Sequence, residues 1–222
     1  MCNVKKCIVL GNSFSINKVD IYKAKKGDGS IISIGVNRIM RPRLVDNYVF
    51  IPDNLVVVDS SVFNQEYERI IKYCPNLFIR DSLYDEKKKF LKDYPSQITK
   101  TQHLSGSKRR TELLTMKGVM YPAGNTGIYA IELAYRLMGG VGEIGIIGME
   151  FLHVSGEPTH FWGDGSRDGC RPFFEKPIKW FESAKDILYT ENFKVYSLSP
   201  YHDKSRIKNC LRYMDFDEFC RT

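Results

Sequence analysis

Four short apolar runs, each stopping at a glycine or a small polar residue, govern what this chain can fold into. Cys7-Ile8-Val9-Leu10 ends at Gly11-Asn12-Ser13, and Ile31-Ile32-Ser33-Ile34-Gly35 ends at Val36-Asn37-Arg38. Leu55-Val56-Val57-Val58 ends at Asp59-Ser60-Ser61, and Glu143-Ile144-Gly145-Ile146-Ile147 ends at Gly148-Met149-Glu150. Such runs are too short for helices and read as buried strands closed by turns. Further strand patterns are Leu77-Phe78-Ile79, Gly118-Val119-Met120-Tyr121 and Lys194-Val195-Tyr196-Ser197.

Helical spacing fills the intervals. Phe63, Tyr67, Ile70 and Ile71 repeat behind Ser61, read as an N-cap. From Thr126 to Met138 one stripe is Ile128, Ile131, Tyr135 and Met138, flanked by Ala130 and Ala134 and stopped by Gly139-Gly140. A last helix is expected over 176–190, with Pro177 near its start and Trp180, Phe181, Ala184, Ile187 and Leu188 on its buried side. Strands alternating with helices predict an α/β fold, a Rossmann-like, mostly parallel sheet with helices on both faces and ligands at the carboxyl ends of the strands. One domain over 1–222 is expected. Residues 81–116, lysine-rich and without clear period, are a surface excursion or a small helical insertion, 152–175 a long lid loop, and everything after Ser197 a tail.

Composition narrows the class. With 43% hydrophobic residues, 13 Tyr and 13 Phe among 222, the chain can bury a core, which excludes disorder, collagen and coiled coil. No apolar run approaches the roughly 18–20 residues of a spanning helix, and the stretch Cys7–Leu10 is too short for a signal peptide. Six cysteines without a Cys-x-x-Cys pair suit a reducing compartment, so the expected location is cytoplasmic (the host cytoplasm for a phage-encoded chain), with no membrane partner. The surplus of 33 Lys and Arg over 26 Asp and Glu gives +7, which is either a solvating surface or the mark of an anionic partner.

The phosphate-binding motifs of common nucleotide enzymes are absent. Gly11-Asn12-Ser13-Phe14-Ser15 has one glycine where the dinucleotide fingerprint has three, and neither a P-loop nor a common zinc spacing occurs. Asp215-Phe216-Asp217 lies in the tail after no strand and is read as incidental. What remains is a set of strand-end turns: Gly11, Asn12, Ser13 and Ser15; Asn37 and Arg38; Asp59; Asn125, Thr126 and Gly127. Singly they are turn and cap chemistry; gathered on one rim, their amides and hydroxyls can bond a ribose or base and their N–H groups a phosphate.

Gly11-Asn12-Ser13, Asn37 and especially Gly124-Asn125-Thr126-Gly127-Ile128-Tyr129-Ala130 followed by Glu143–Phe151 resemble the bacterial family 42 sialyltransferases. Proteins of the pterin diphosphokinase-like superfamily are similar over the later block. The resemblance implies inverting glycosyl transfer from a nucleotide-sugar donor with no metal required. It places Asn12, Asn37 and Asp59 near the nucleotide, Thr126-Gly127 at donor phosphate or sugar, and the general base at Asp164 in His160-Phe161-Trp162-Gly163-Asp164-Gly165, where that family has a histidine. A carboxylate can take that proton too. The family's phosphate-binding tyrosine corresponds to Leu152, followed by His153, so His153, His160 and Arg167 are expected to supply donors to the leaving group.

The donor sugar cannot be inherited across those departures. With no membrane anchor and with Lys108-Arg109-Arg110 as a basic cluster, the expected acceptor is a soluble anion, double-stranded DNA carrying hydroxymethylated pyrimidines among them. This is the modification that small phage transferases carry out, with Trp162 and Phe161 meeting an extruded base. The alternatives are a saccharide acceptor, Mg²⁺-dependent pyrophosphoryl transfer on a pterin through Asp59, Glu150 and Asp164, and a non-catalytic nucleic-acid binder.

Overall fold

The computed structural model describes residues 6–25, 30–73, 76–92, 97–101, 125–152, 156–163 and 170–221. Its strands are β1 (Lys6–Leu10), β2 (Ile31–Val36), β3 (Asn54–Val57), β4 (Asn76–Arg80), β5 (Gln97–Thr101), β6 (Gly142–Ile147), β7 (Phe193–Ser197) and β8 (Arg212–Tyr213). Its α-helices are α1 (Ser60–Tyr73), α2 (Asp81–Leu91), α3 (Thr126–Leu137), α4 (Cys170–Ala184) and α5 (Phe216–Arg221). All eight strands are parallel in one sheet of order β5-β4-β3-β2-β1-β6-β7-β8. This is the Rossmann-like α/β architecture expected from the alternation of strand and helix.

Two apolar layers sandwich the sheet. On one face Val9, Ile34 and Ile144 meet α3 and α4, including the wholly buried Tyr129 and Trp180. On the other, Ile8, Leu10, Leu55 and Val57 meet α1 and α2 through Val62, Phe63 and Leu83, and α5 through Phe219. The central strands are buried on both sides, which is why they carry unbroken rather than alternating apolar runs. No helix among the described residues is long and apolar enough to cross a membrane.

Four expectations change. Of the segment 81–116, residues 81–101 hold α2 and β5, another helix–strand unit of the sheet with Leu83 and Leu91 in the core, and 102–116 lies outside the described residues. Helix α4 begins at Cys170, so the lid gives up 170–175 and Pro177 lies inside the helix. An interior proline costs about 3 kcal/mol, but burying Ile178, Trp180 and Phe181 at about 1.5–3 kcal/mol for each such side chain outweighs it. The tail folds back as β8 and α5; Asp215 caps α5 through the amides of Asp217 and Glu218, and Asp217 pairs with Lys23. Asp59, not Ser61, caps α1, its Oδ1 accepting from the amides of Ser61 at 2.8 Å and Val62 at 3.4 Å. The strand pattern at 118–121 lies outside the described residues.

Candidate functional site

In sheet order β1 has β2 on one side and β6 on the other, so the chain reverses its winding between β1 and β6. Loops leaving the carboxyl ends of such a pair diverge to opposite faces and open a crevice. A pocket of about 340 Å³ lies there, within the size range of small-molecule sites. Its walls hold every described residue singled out in the strand-end turns except Ser15: Gly11, Asn12, Ser13, Asn37, Arg38, Asp59, Asn125, Thr126 and Gly127, with His160 and Trp162. His153, Asp164, Arg167 and Lys108-Arg109-Arg110 lie outside the described residues.

Close backbone approach builds the floor. The amides of Gly11, Asn12 and Ser13 donate to Ile147 O at 2.7 Å and to Gly148 O at 3.0 and 3.0 Å. A Cβ on Gly11 would lie 2.1 Å from Gly148 O, so only glycine fits. Beneath them Glu150, 2% exposed, accepts at Oε1 from the Ser15 hydroxyl at 2.5 Å and from the Gly148 amide at 3.1 Å. Its Oε2 is buried without a hydrogen-bond partner among the described residues, and so are Asn12 Oδ1, Ser13 Oγ and Asn37 Oδ1. Buried polar atoms are normally satisfied, so four orphaned oxygens around one cavity point to a hydrogen-bonding ligand. Asn37 and Phe151 both have positive φ, +51° and +53°. For a bulky phenylalanine this is strained backbone, of the kind that collects at binding sites.

The helix start behaves differently from expectation. Asn125 Oδ1 accepts the Gly127 amide at 2.8 Å, so that N–H is committed to the cap and not open to a phosphate. Gly127 instead leaves room for the Met149 thioether, whose Cε would lie 2.2 Å from an added Cβ.

The described part of the loop, 156–163, is docked. Phe161 is buried; its amide donates to Asn12 O at 3.3 Å and its carbonyl accepts from Asn17 Nδ2 at 2.8 Å and Leu44 N at 3.0 Å. This anchor sets the two flanking rings, His160 and Trp162, into a stack with centroids 4.4 Å apart. His160 Nδ1 lies 2.9 Å from Thr159 Oγ1, and Arg41 sits 5.2 Å from the Trp162 ring centroid. Trp162, expected to stack on an acceptor base, is thus already engaged by an imidazole and a guanidinium.

Charge is gathered on one side. Glu66, 3% exposed on α1, takes Arg41 Nε at 2.7 Å, Arg41 Nη2 at 2.5 Å and Arg69 Nη1 at 2.6 Å, with Arg38 Nε at 3.7 Å. Nothing in the sequence marked Glu66; the signal is the convergence of a loop and a helix that are distant along the chain. Burial and the neighbouring Arg41 hold the Arg38 guanidinium below its ordinary pKa, against the pull of Glu66 and Asp59.

Asp59 carries a pH dependence. Burial pushes its carboxyl up, but the hydroxyl and amide of Ser61, the Val62 amide and Arg38 outweigh it and leave the pKa below the ordinary carboxylate value. A depressed folded pKa contributes stability present above the unfolded value near 4 and lost as pH falls through the folded value. Asp59→Asn is expected to lower the melting temperature at pH 7, and the gap to the parent should close in acid below pH ~4. A gap that is constant down to pH ~2 would refute the charged cap.

Fold and site together define an α/β protein with a doubly wound parallel sheet and a crevice lined largely by polar residues at its switch point. No protein-family model, no curated protein and no solved structure matches the chain.

Proposed function

We propose that the chain is a nucleotide-sugar-dependent glycosyltransferase whose donor occupies the switch-point pocket. The carrying observation is the set of orphaned oxygens, Asn12 Oδ1, Ser13 Oγ, Asn37 Oδ1 and Glu150 Oε2, in a pocket of about 340 Å³. These are acceptors, with the serine hydroxyl able to act either way, so they suit the hydroxyls of a ribose or sugar and the exocyclic amine of a base. A phosphate would be repelled by Glu150 and drawn to Arg38, which also lines the pocket. A nucleotide with its sugar fits that polarity.

In the reaction the acceptor hydroxyl oxygen bonds to the anomeric carbon as the bond to the donor phosphate breaks. The nucleotide leaves with the electron pair and the hydroxyl proton passes to a base on the loop that carries His160 and Asp164. The acceptor expected from composition, a hydroxymethylated pyrimidine in DNA, is part of this proposal. For pyrophosphoryl transfer the expected carboxylates are less well disposed: Asp59 Oδ1 is held by its helix cap and Glu150 Oε1 by Ser15 and Gly148.

A thermal-shift series with UDP- and CMP-linked sugars, with and without EDTA, tests the proposal. A ligand that binds only the folded state at 100 times its Kd stabilises by about 2.7 kcal/mol, or roughly 5–10 °C for a chain of this size. The expected result is that shift for at least one nucleotide sugar, unchanged by EDTA. A shift seen only with ATP, Mg²⁺ and a pterin would replace the proposal with pyrophosphoryl transfer.

A further inference from the structure

We infer that the outer face of α1 is a docking track for the phosphodiester backbone of a nucleic-acid acceptor, leading to the mouth of the pocket. The inference rests on the donor-site proposal, since it names the acceptor for that site. Three observations carry it.

First, the buried Glu66 carboxylate holds Arg38, Arg41 and Arg69 together from beneath, each with only part of its side chain exposed. One carboxylate among three guanidiniums leaves a fixed surplus of positive charge, which is how proteins arrange phosphate recognition. Second, a shallow groove of about 600 Å³ runs along the same helix, with Gln65, Tyr67, Arg69, Lys72 and Tyr73 on its walls. Gln65 Oε1 accepts from Arg38 Nη2 at 2.6 Å, and Arg38 lines the donor pocket, so groove and pocket are joined through one hydrogen bond. Third, the groove adds aromatic surface to charge: Tyr73 is 41% exposed and Lys72 Nζ lies 4.8 Å from its ring centroid.

The dimensions favour a polymer over a mononucleotide. Gln65, Arg69 and Lys72 share one helix face and span about 10 Å of axis, a length over which one strand of duplex DNA presents about three phosphates. Four cations, Arg38, Arg41, Arg69 and Lys72, face three carboxylates, Asp59, Glu66 and Glu68, so the net field is still positive by one charge. Cations that track a backbone beside aromatic rings are the usual equipment for nucleic-acid strands. A lipid surface would instead call for an apolar face, and this groove is polar apart from its tyrosine rings.

The test is fluorescence anisotropy of a labelled oligonucleotide, single-stranded and duplex, over about 50–200 mM salt. Parent, Lys72→Glu and Arg69→Gln are compared. Each variant is expected to bind several-fold more weakly, with the slope of log K against log salt shallower by about 0.7–0.9 for one lost phosphate contact. The thermal response to the nucleotide sugar is expected to stay at the parent's level, because neither residue lines the pocket. Arg69 supports Glu66 and its loss can destabilise the helix; Lys72 makes no ion pair with Glu66, so Lys72→Glu decides the matter if Arg69→Gln folds poorly. Parent-like DNA affinity and slope in Lys72→Glu would overturn the track. Binding to vesicles of anionic lipid that Lys72→Glu abolishes, with no binding of DNA, would overturn it in favour of a membrane surface. Loss of DNA binding in the variants while no nucleotide sugar stabilises the parent would uphold the track and sink the donor-site proposal alone.

Discussion

Glu150→Gln is expected to fold with a melting temperature close to the parent's and to bind the nucleotide sugar roughly 10–100-fold more weakly, equivalent to about 1.4–2.7 kcal/mol. The amide is isosteric with the carboxylate, so its oxygen can still accept from Ser15 and Gly148 at the Oε1 position. At the Oε2 position an acceptor becomes an NH₂ donor. A ligand hydroxyl or amine that donated to Oε2 then meets a second donor, and a buried mismatch of that kind costs about 1–3 kcal/mol. Isothermal titration with the ligand found by thermal shift measures the loss. Unchanged affinity in a well-folded Glu150→Gln protein would mean that the orphaned oxygen does not face the ligand, and the donor would have to be placed elsewhere in the crevice.

Gly11→Ala should be the most damaging glycine-to-alanine change among the described glycines. Its Cβ would fall 2.1 Å from Gly148 O, 2.6 Å from Gly148 C and 2.6 Å from Met149 Cγ. Two of these atoms are backbone, the Gly148 carbonyl held by hydrogen bonds from Asn12 and Ser13, so the strain cannot be shed by a rotamer change. Overpacking of this kind costs about 1–3 kcal/mol or more, and the upper end corresponds to a drop of roughly 6–12 °C in melting temperature. The β1 and β6 turns would separate, and the nucleotide response should vanish with them. Gly139→Ala is the control: Gly139 has φ +67° and nothing within 4 Å of an added Cβ, so that variant should show only the backbone penalty of about 1 kcal/mol. Equal melting temperatures for the two variants would show that the close approach at Gly11 is not what holds the crevice.

Much of the fold was legible because its signals are local. A strand buried on both faces must be apolar along its length, and the strands at Cys7, Ile31, Leu55 and Glu143 were bounded by turns that any parallel sheet needs. The helix at Thr126 announced itself through its apolar stripe and through Gly139 and Gly140, both of which do take positive φ. The strand-end residues of the pocket were legible for the same reason. In a parallel sheet all carboxyl ends share one edge, so polar turns far apart in sequence are bound to converge there.

Where sequence reasoning stopped short, the deciding interactions were long-range. The lysine-rich stretch from 81 showed no clear period because α2 hides only a narrow stripe, and β5 has a single partner, β4, among the described residues. Pro177 resembled a helix start because local chemistry permits proline there, whereas α4 begins seven residues earlier, at Cys170. Asp59 took the cap from Ser61 because its backbone carbonyl already accepts the Phe63 amide at 3.0 Å, which sets the helix start two residues earlier than spacing suggested.

The α/β alternation, the parallel sheet and the convergence of Asn12, Asn37, Asp59 and Asn125 on one rim follow from periodicity and turn chemistry acting within a few residues of the chain. Only the tertiary structure decided which polar atoms in that rim are satisfied. It committed the Gly127 amide and the Asp59 carboxylate to helix caps, buried Glu150 Oε2 and three neighbouring oxygens without a hydrogen-bond partner among the described residues, and drew three arginines onto Glu66. Hydrogen-bond satisfaction depends on which groups meet across the fold, and no local pattern in the chain encodes that meeting.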